Sequence, residues 1–436
     1  MRADHTQHEI CLFGHFGGNN FGNESTLQAL LYHLRDVLPD AQVTCICTYP
    51  DGVAQTYNVR AIPISEASPP SGQPHSFIGK LSRTLCIGIP REAKRWLRAL
   101  ASLRGSSMLI IPGTGLLTDA YGLLSWGPYS VFKWAVAAKL CRCRLLFVSV
   151  GAGPIYSRLA RTLVRIALSI ANFRSYRDYS TLQYVKRMGL RATDDPVYPD
   201  LAFSLPEAVM PHDTAAKRER KIVGLGVMEY AGRYGDANPN EVAYEAYLEA
   251  LVAFTEWLLA HDYDVRLLIG DLVDRSVVQE FKCLLQQRLA VYDASRIIDE
   301  SVSSVGELLS QIASTDFVVA TRFHNVLFAM LLIKPVISIS FHHKCASLMQ
   351  QMGLPEYSVD FSGIKASSLI DCFRSLVENA AALRLVMTGK IQEYRQALDE
   401  QYGVLFREWL PEVTADETGQ RSAIKAQLED HVTGAR

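Results

Sequence analysis

The run Thr321-Arg322-Phe323-His324-Asn325, with Lys344 twenty positions after the histidine, carries the residue types that chemistry on a small anion requires. Two fixed cations can hold a multiply charged ligand, and an imidazole beside them can move a proton near neutral pH. Residues 318–320 read as a buried strand, 326–333 as a buried helix and 335–340 as the next strand, which sets Arg322, His324 and Lys344 at strand ends. Ligands of open α/β sheets bind beyond those carboxyl ends. Each residue also has a structural use. Arg322 would cap a helix or pair with Asp316, and His324 would be a satisfied buried histidine. Their coincidence at consecutive strand ends is what makes them a candidate site.

The amino-terminal half supplies further strand-end loops. Strand 10–13 runs into a turn holding Gly17, Gly18, Asn19, Asn20 and Glu24, then a helix with Leu27, Leu30, Leu31, Leu34 and Leu38 on one face. Such a turn lets backbone N–H groups and a helix N-terminus approach an anion. The simpler alternative is a flexible turn with Asn23 as N-cap. It matches neither the dinucleotide fingerprint nor a P-loop. Strand 41–48 follows, and 51–90 breaks into Pro, Gly and Ser, as a long surface loop able to act as a lid. A basic helix, 91–104, carries Lys94, Arg95, Arg98 and Arg104. It would suit an anionic membrane or acceptor, or simply form a solvated face. Strand 108–111 leads to Gly113, Gly115 and Asp119. Strand 145–150 leads to Gly151 and Gly153, and strand 173–176 to Arg177 and Asp178. Arg177 is either a third anion ligand or a local partner of Asp178.

Length and composition bound the architecture. At 436 residues, two domains are expected, and 49% hydrophobic with 20% charged residues describes a globular chain. A net charge of -1 without a long basic run argues against nucleic acid as a partner. The polar first eight residues and the shortness of the apolar runs predict a cytoplasmic protein, with the inner face of a membrane as its one candidate surface. Nine scattered cysteines, with pairs Cys45/Cys47 and Cys141/Cys143 spaced to share a strand face, read as reduced core thiols and not as a metal site. The expected organisation is an α/β protein of two doubly wound Rossmann-like domains, 1–205 and 221–380, joined by a linker at 206–220. Residues 381–436 would form a helix crossing back to the first domain and a charged tail. That arrangement, with a cleft between the domains, is GT-B-like, and fold alone does not fix function.

Gly14 through Glu24, Gly113/Gly115 with Asp119, Gly151-Ala152-Gly153-Pro154, Ser175-Tyr176-Arg177-Asp178, Asp200, Arg322-Phe323-His324 and Lys344 together resemble the polysaccharide pyruvyl transferase family. The resemblance implies transfer of a pyruvyl group from phosphoenolpyruvate onto two sugar hydroxyls as a cyclic ketal. It implies His324 as the acid that protonates the methylene carbon, in its charged form because of the neighbouring anions. Arg322 and Arg177 would bind phosphate or carboxylate, and Lys344 would neutralise the departing phosphate. Gly151 and Gly153 would line the donor site. Gly17, Gly18, Asn19, Asn20, Glu24, Gly113, Gly115 and Asp119 would form the acceptor or cleft loops. No metal and no cofactor beyond phosphoenolpyruvate as co-substrate is called for. The acceptor would be a lipid-linked or polymer precursor or a glycolipid headgroup, and homo-oligomerisation stays open. Departures from the family pattern are Asn23 where aspartate is usual, Phe323 for leucine, and His342 and His343 before Lys344.

Two other functions compete. A GT-B nucleotide-sugar glycosyltransferase would place glutamates in the carboxy-terminal domain, yet none occurs between Glu307 and Glu356. A non-catalytic family member would have no physical reason to keep the cations and the imidazole at one edge.

Overall fold

In the computed structural model, described over residues 9–18, 20–65, 88–113, 115–119, 127–211, 219–229, 241–289 and 293–409, the chain forms two six-stranded parallel sheets. The amino-terminal sheet is built from β1 (Glu9–Gly14), β2 (Gln42–Cys47), β3 (Arg60–Pro63), β4 (Met108–Pro112), β5 (Arg144–Val150) and β6 (Phe173–Tyr176). Its helices are α1 (Phe21–Val37), α2 (Pro50–Tyr57), α3 (Ile89–Leu103), α4 (Pro128–Leu140), α5 (Arg158–Ser169) and α6 (Tyr179–Arg187). Ile10 and Leu12 of β1 enter one core while Cys11 and Phe13 enter another. Burial on both faces is the environment of an interior parallel strand.

The carboxy-terminal sheet comprises β7 (Lys221–Gly226), β8 (Tyr263–Leu268), β9 (Ile297–Ile298), β10 (Phe317–Ala320), β11 (Val336–Ser340) and β12 (Ser358–Asp360). Its helices are α7 (Glu241–Ala260), α8 (Arg275–Arg288), α9 (Val305–Ala313), α10 (Phe323–Leu331), α11 (His343–Gln351) and α12 (Ala366–Glu378). The strand orders, β3-β2-β1-β4-β5-β6 and β12-β11-β10-β7-β8-β9, each reverse direction at the first strand, between β1 and β4 and between β7 and β10. Both switch points open toward the junction of the domains, which is where doubly wound sheets bind ligands.

Hydrogen bonds between facing loops and a returning helix join the halves. The Phe21 N–H donates to the Gly270 carbonyl at 3.1 Å and the Asn20 amide to the Asp271 carboxylate at 2.8 Å. The long helix α13 (Ala380–Trp409) returns to the first domain. There the Ser149 hydroxyl donates to Gln401 at 2.9 Å, and Tyr402 meets Ser204 at 3.0 Å. Ser149 occupies a left-handed conformation (φ 47°) at an irregularity in the β5–β6 register, a strained position for a residue with a Cβ.

Local expectations needed correction in three places. Residues 51–65 are not part of a loop: Pro50 starts α2 and β3 pairs with β2, while the rest of the supposed lid, 66–87, lies outside the described residues. The cap of α1 is Asn20, whose side chain accepts from the Asn23 N–H, because the helix begins three residues earlier than the apolar stripe suggests. Cys141 and Cys143 flank the turn from α4 into β5 and do not share a strand face, although Cys45 and Cys47 do. Every described cysteine is a free thiol.

Replacing Gln401 by Ala strands the buried Ser149 hydroxyl. A loss of about 1–3 kcal/mol is expected, read as a lower urea midpoint with an unchanged slope.

Candidate active site

Loops from both sheets enclose a cleft of about 360 Å³ between the domains. From the first domain come His15, Gly18, Asn20 and Asn23 after β1, Gly115 and Thr118 after β4, Gly153 and Pro154 after β5, and Arg177 after β6. The second contributes Glu229 after β7, Gly270 and Asp271 after β8, Arg322 through His324 after β10, and His342 and Lys344 after β11. The β/α alternation puts each of these side chains at a carboxyl end.

Arg322 begins α10, but its side chain caps nothing. Its Nε donates to Asp274 Oδ2 at 2.9 Å and its Nη2 to Asp274 Oδ1, a two-pronged pair that fixes the plane of the fork. The suggested partner Asp316 instead accepts from the Ile222 N–H. Arg177 approaches from the other domain. Its Nη1 donates to Asp200 at 3.1 Å, its Nε lies 3.7 Å from Asp178, and its guanidinium stacks 4.8 Å from the Phe323 ring centroid. Gly151 makes room for it, since a Cβ there would stand 2.5 Å from Arg177 Nε. Lys344 crosses the same gap, its Nζ 3.8 Å from where a Cβ of Gly153 would be.

His324 sits in the first turn of α10, packed against α1 so closely that a Cβ on Gly22 would fall 1.9 Å from its Nδ1. Its Nε2 is buried without a hydrogen-bond partner, 4.0 Å from Asp200, and Arg177 Nε, beside Asp178, is likewise buried without a hydrogen bond. The protein's own groups favour the neutral imidazole, so the expected charged form depends on the anions of a ligand. Burial pushes His324 down to about 4, and Arg177, Lys344 and Arg322 push the same way against Asp200. Lys344 is lowered to about 7, by burial first and then by Arg177. His342, whose Nδ1 accepts the Lys344 N–H, is lowered to about 3 by burial and by Lys344. Burial and mutual repulsion thus disfavour full ionisation of the basic groups around the cleft. An arriving anion would raise all three groups.

The residues named from sequence divide into three sets. Arg177, Arg322, His324 and Lys344 converge, with Gly18, Asn20, Gly115 and Gly153 lining the same cleft. Gly17 and Glu24 face a separate cavity instead: Glu24 accepts the Gly17 N–H at 2.6 Å and the Tyr57 hydroxyl at 3.1 Å, and burial raises its carboxyl above the usual range. Gly113 and Asp119 shape loops without lining the cleft. Gly113 leaves space for the Ser149 carbonyl, and the Asp119 carboxylate accepts from Tyr156 and Ser157 N–H at 2.9 and 2.7 Å. Asn19 lies outside the described residues. Asp274, Asp271, Glu229, His15 and Gly22 were not singled out from sequence. The one local signal is the Asp271/Asp274 spacing, which forms a capping box after β8. Among the described residues no cluster of His, Cys, Asp and Glu is arranged to hold a metal ion.

A family model described as polysaccharide pyruvyl transferase matches residues 20–343. The amylovoran biosynthesis protein AmsJ of Erwinia amylovora is 20% identical over 413 residues, covering 89% of this chain and 96% of AmsJ. A putative UDP-N-acetylglucosamine 2-epimerase of Listeria monocytogenes superposes with a TM-score of 0.61 at 10% identity, over 92% of this chain and 97% of that one. Anabaena Alr3699/HepE in complex with UDP gives 0.57 at 12% identity, over 92% and 100%. At such identities the solved structures establish the two-domain, GT-B-like fold and nothing finer.

Asp274→Asn removes the charge that balances Arg322 and opposes an amide N–H to the guanidinium. Breaking one partner of a buried pair costs about 3–5 kcal/mol, and urea unfolding should show a loss of that order.

Proposed function

The chain belongs to the polysaccharide pyruvyl transferase family, and on that premise we propose that it transfers the pyruvyl group of phosphoenolpyruvate to two hydroxyls of a sugar in a polysaccharide or glycolipid precursor, forming a cyclic ketal. The observation that carries this reading is the convergence of Arg177, Arg322 and Lys344 around the unpartnered Nε2 of His324. Phosphoenolpyruvate brings a phosphate and a carboxylate on three carbons, and it needs cations for both and a proton for the methylene carbon.

The roles divide by position. Arg322, its plane set by Asp274, and Arg177, set by Asp200, hold the two anionic groups. Their charge raises the affinity of the site, and the ligand's charge in turn raises His324 toward the protonated form. His324 gives its proton to the methylene carbon, and a sugar hydroxyl adds to the central carbon with loss of its proton. The C–O bond to phosphate then breaks, with Lys344 beside the departing oxygens. The second hydroxyl adds to the same carbon and closes the ring. The balance is one phosphoenolpyruvate and one diol giving one ketal and one inorganic phosphate, with no redox change. Glu229, Asp271 and His15 line the cleft and have the chemistry to accept the hydroxyl protons.

Two measurements test this. In thermal-shift titrations, phosphoenolpyruvate at a hundred times its dissociation constant should add about 2.7 kcal/mol of stability. The gain should vanish in Arg322→Ala and persist in His324→Gln, which should lack transfer activity. A response to UDP- or GDP-sugars alone would make the protein a nucleotide-sugar enzyme and refute the reading. Calorimetry at pH 7.5 in buffers of different ionisation enthalpy should show proton uptake on binding, since the ligand's phosphate is already doubly charged there (second pKa about 6). The protein's own surroundings put Lys344 at about 7 and His324 at about 4, so raising them takes up protons and makes binding tighter as pH falls. Lys344→Met should remove most of that uptake.

A further inference from the structure

Helices α3, α4 and α5 cover the face of the amino-terminal sheet whose core is separate from the one shared with the carboxy-terminal domain. Ala99 and Leu103 of α3, Val131 and Trp134 of α4, and Ala160 and Val164 of α5 point into that core with Cys11 and Phe13. The opposite sides of α3 and α5 turn outward, and the largely buried α4 adds only its exposed C-terminal end. There Leu97 is 67% exposed, Leu140 66%, Ile89 56%, Leu159 55% and Ile166 37%. Large aliphatic residues on three neighbouring helices make a patch of the kind that marks an interaction surface.

The charges around it have one sign. Arg91, Lys94 and Arg98 of α3 and Arg158 and Arg165 of α5 are exposed. No aspartate or glutamate occurs between Asp119 and Asp178, in a chain whose net charge is -1. Glu92, the acid of α3, is taken up by Arg95, Tyr129 and the buried Lys133. We propose that this helical layer docks on an anionic lipid surface, with Leu97, Leu159 and Ile166 entering the interfacial region and the basic residues against the headgroups. Interleaved aliphatic and basic side chains, with Glu92 already paired, fit that partner. A nucleic acid or other soluble polyanion would use the charges and leave the aliphatic residues without a role. Among the described residues no helix is long and apolar enough to span a bilayer, so the contact is peripheral.

The docking face borders the cleft. Gly153 and Pro154 line the cleft, and the segment continues through Tyr156 and Ser157, clamped by Asp119, into α5. A sugar acceptor could thus be processed while its lipid stays in the bilayer. That clause alone rests on the proposed reaction; the surface assignment does not.

The test is co-sedimentation of the full chain with phosphatidylcholine vesicles containing about one-third phosphatidylglycerol, beside pure phosphatidylcholine vesicles and heparin beads. Binding is expected to the anionic vesicles only. Each lost basic residue should lower the partition coefficient about fivefold, so Lys94→Glu with Arg165→Glu should reduce it more than tenfold. Leu97→Ser with Ile166→Ser should also weaken vesicle binding severalfold while leaving melting temperature unchanged. No binding to anionic vesicles overturns the proposal, as does binding that survives both double variants. Loss in the charge variant alone, with equal retention on heparin, means a general polyanion surface and overturns the lipid assignment. Thermal shifts with phosphoenolpyruvate on the same variants should be unchanged, which separates failure of the surface from failure of the reaction.

Discussion

The carboxylate of Asp274, fully removed from solvent, organises the carboxy-terminal wall of the cleft. It accepts from the Glu229 N–H at 2.9 Å, the Asp271 N–H at 3.2 Å and the Gly270 N–H at 3.3 Å, as well as from Nε and Nη2 of Arg322. Those donors lie after three different strands, β7, β8 and β10. A buried carboxylate is tolerated only when its lone pairs are filled, so the position of each loop constrains the other two. The same segment reaches the first domain, because Asp271 receives the Asn20 amide and the Gly270 carbonyl receives the Phe21 N–H. Orientation of Arg322 and closure of the domains thus share one anchor.

Asp200 plays the corresponding part on the amino-terminal side. It fixes Arg177 and stands closest in charge to His324, although the latter belongs to the other domain. Three cations and an imidazole around one cleft repel one another, and burial denies them water. The result is a site in which His324 and Lys344 are both displaced toward their neutral forms. A polyanionic substrate, as proposed, would relieve that repulsion and recharge the groups that its reaction needs. Preorganised charge of this kind is costly to bury and most effective where charge develops in a reaction.

Much of this was legible in the sequence, because β/α alternation needs only local apolar runs and the tips between them. Arg177, Arg322, His324 and Lys344 all stand at such tips, and the fold brings them together. What escaped depended on distance or burial. Asp274 lies 48 positions from Arg322, so nothing local pairs them and nearby Asp316 was the natural guess. The neutral form that the protein alone gives His324 depends on burial, because desolvation outweighs its nearest anion, Asp200. Gly17 in the turn and Glu24 in the first helical turn of α1 lie close to Gly18 and Asn20, yet they face another cavity, since neighbouring positions of a turn and a helix point different ways. Helix α2 was hidden by the Pro, Gly and Ser run that follows it, although Pro50 is a residue favoured in a first helical turn.

The most direct test of the account is a crystal structure of the protein with phosphoenolpyruvate bound. The phosphate and carboxylate should lie within hydrogen-bonding distance of Arg177, Arg322 and Lys344, with the methylene carbon facing Nε2 of His324. Phosphoenolpyruvate bound elsewhere, or in this cleft with its methylene carbon turned away from His324, would contradict it.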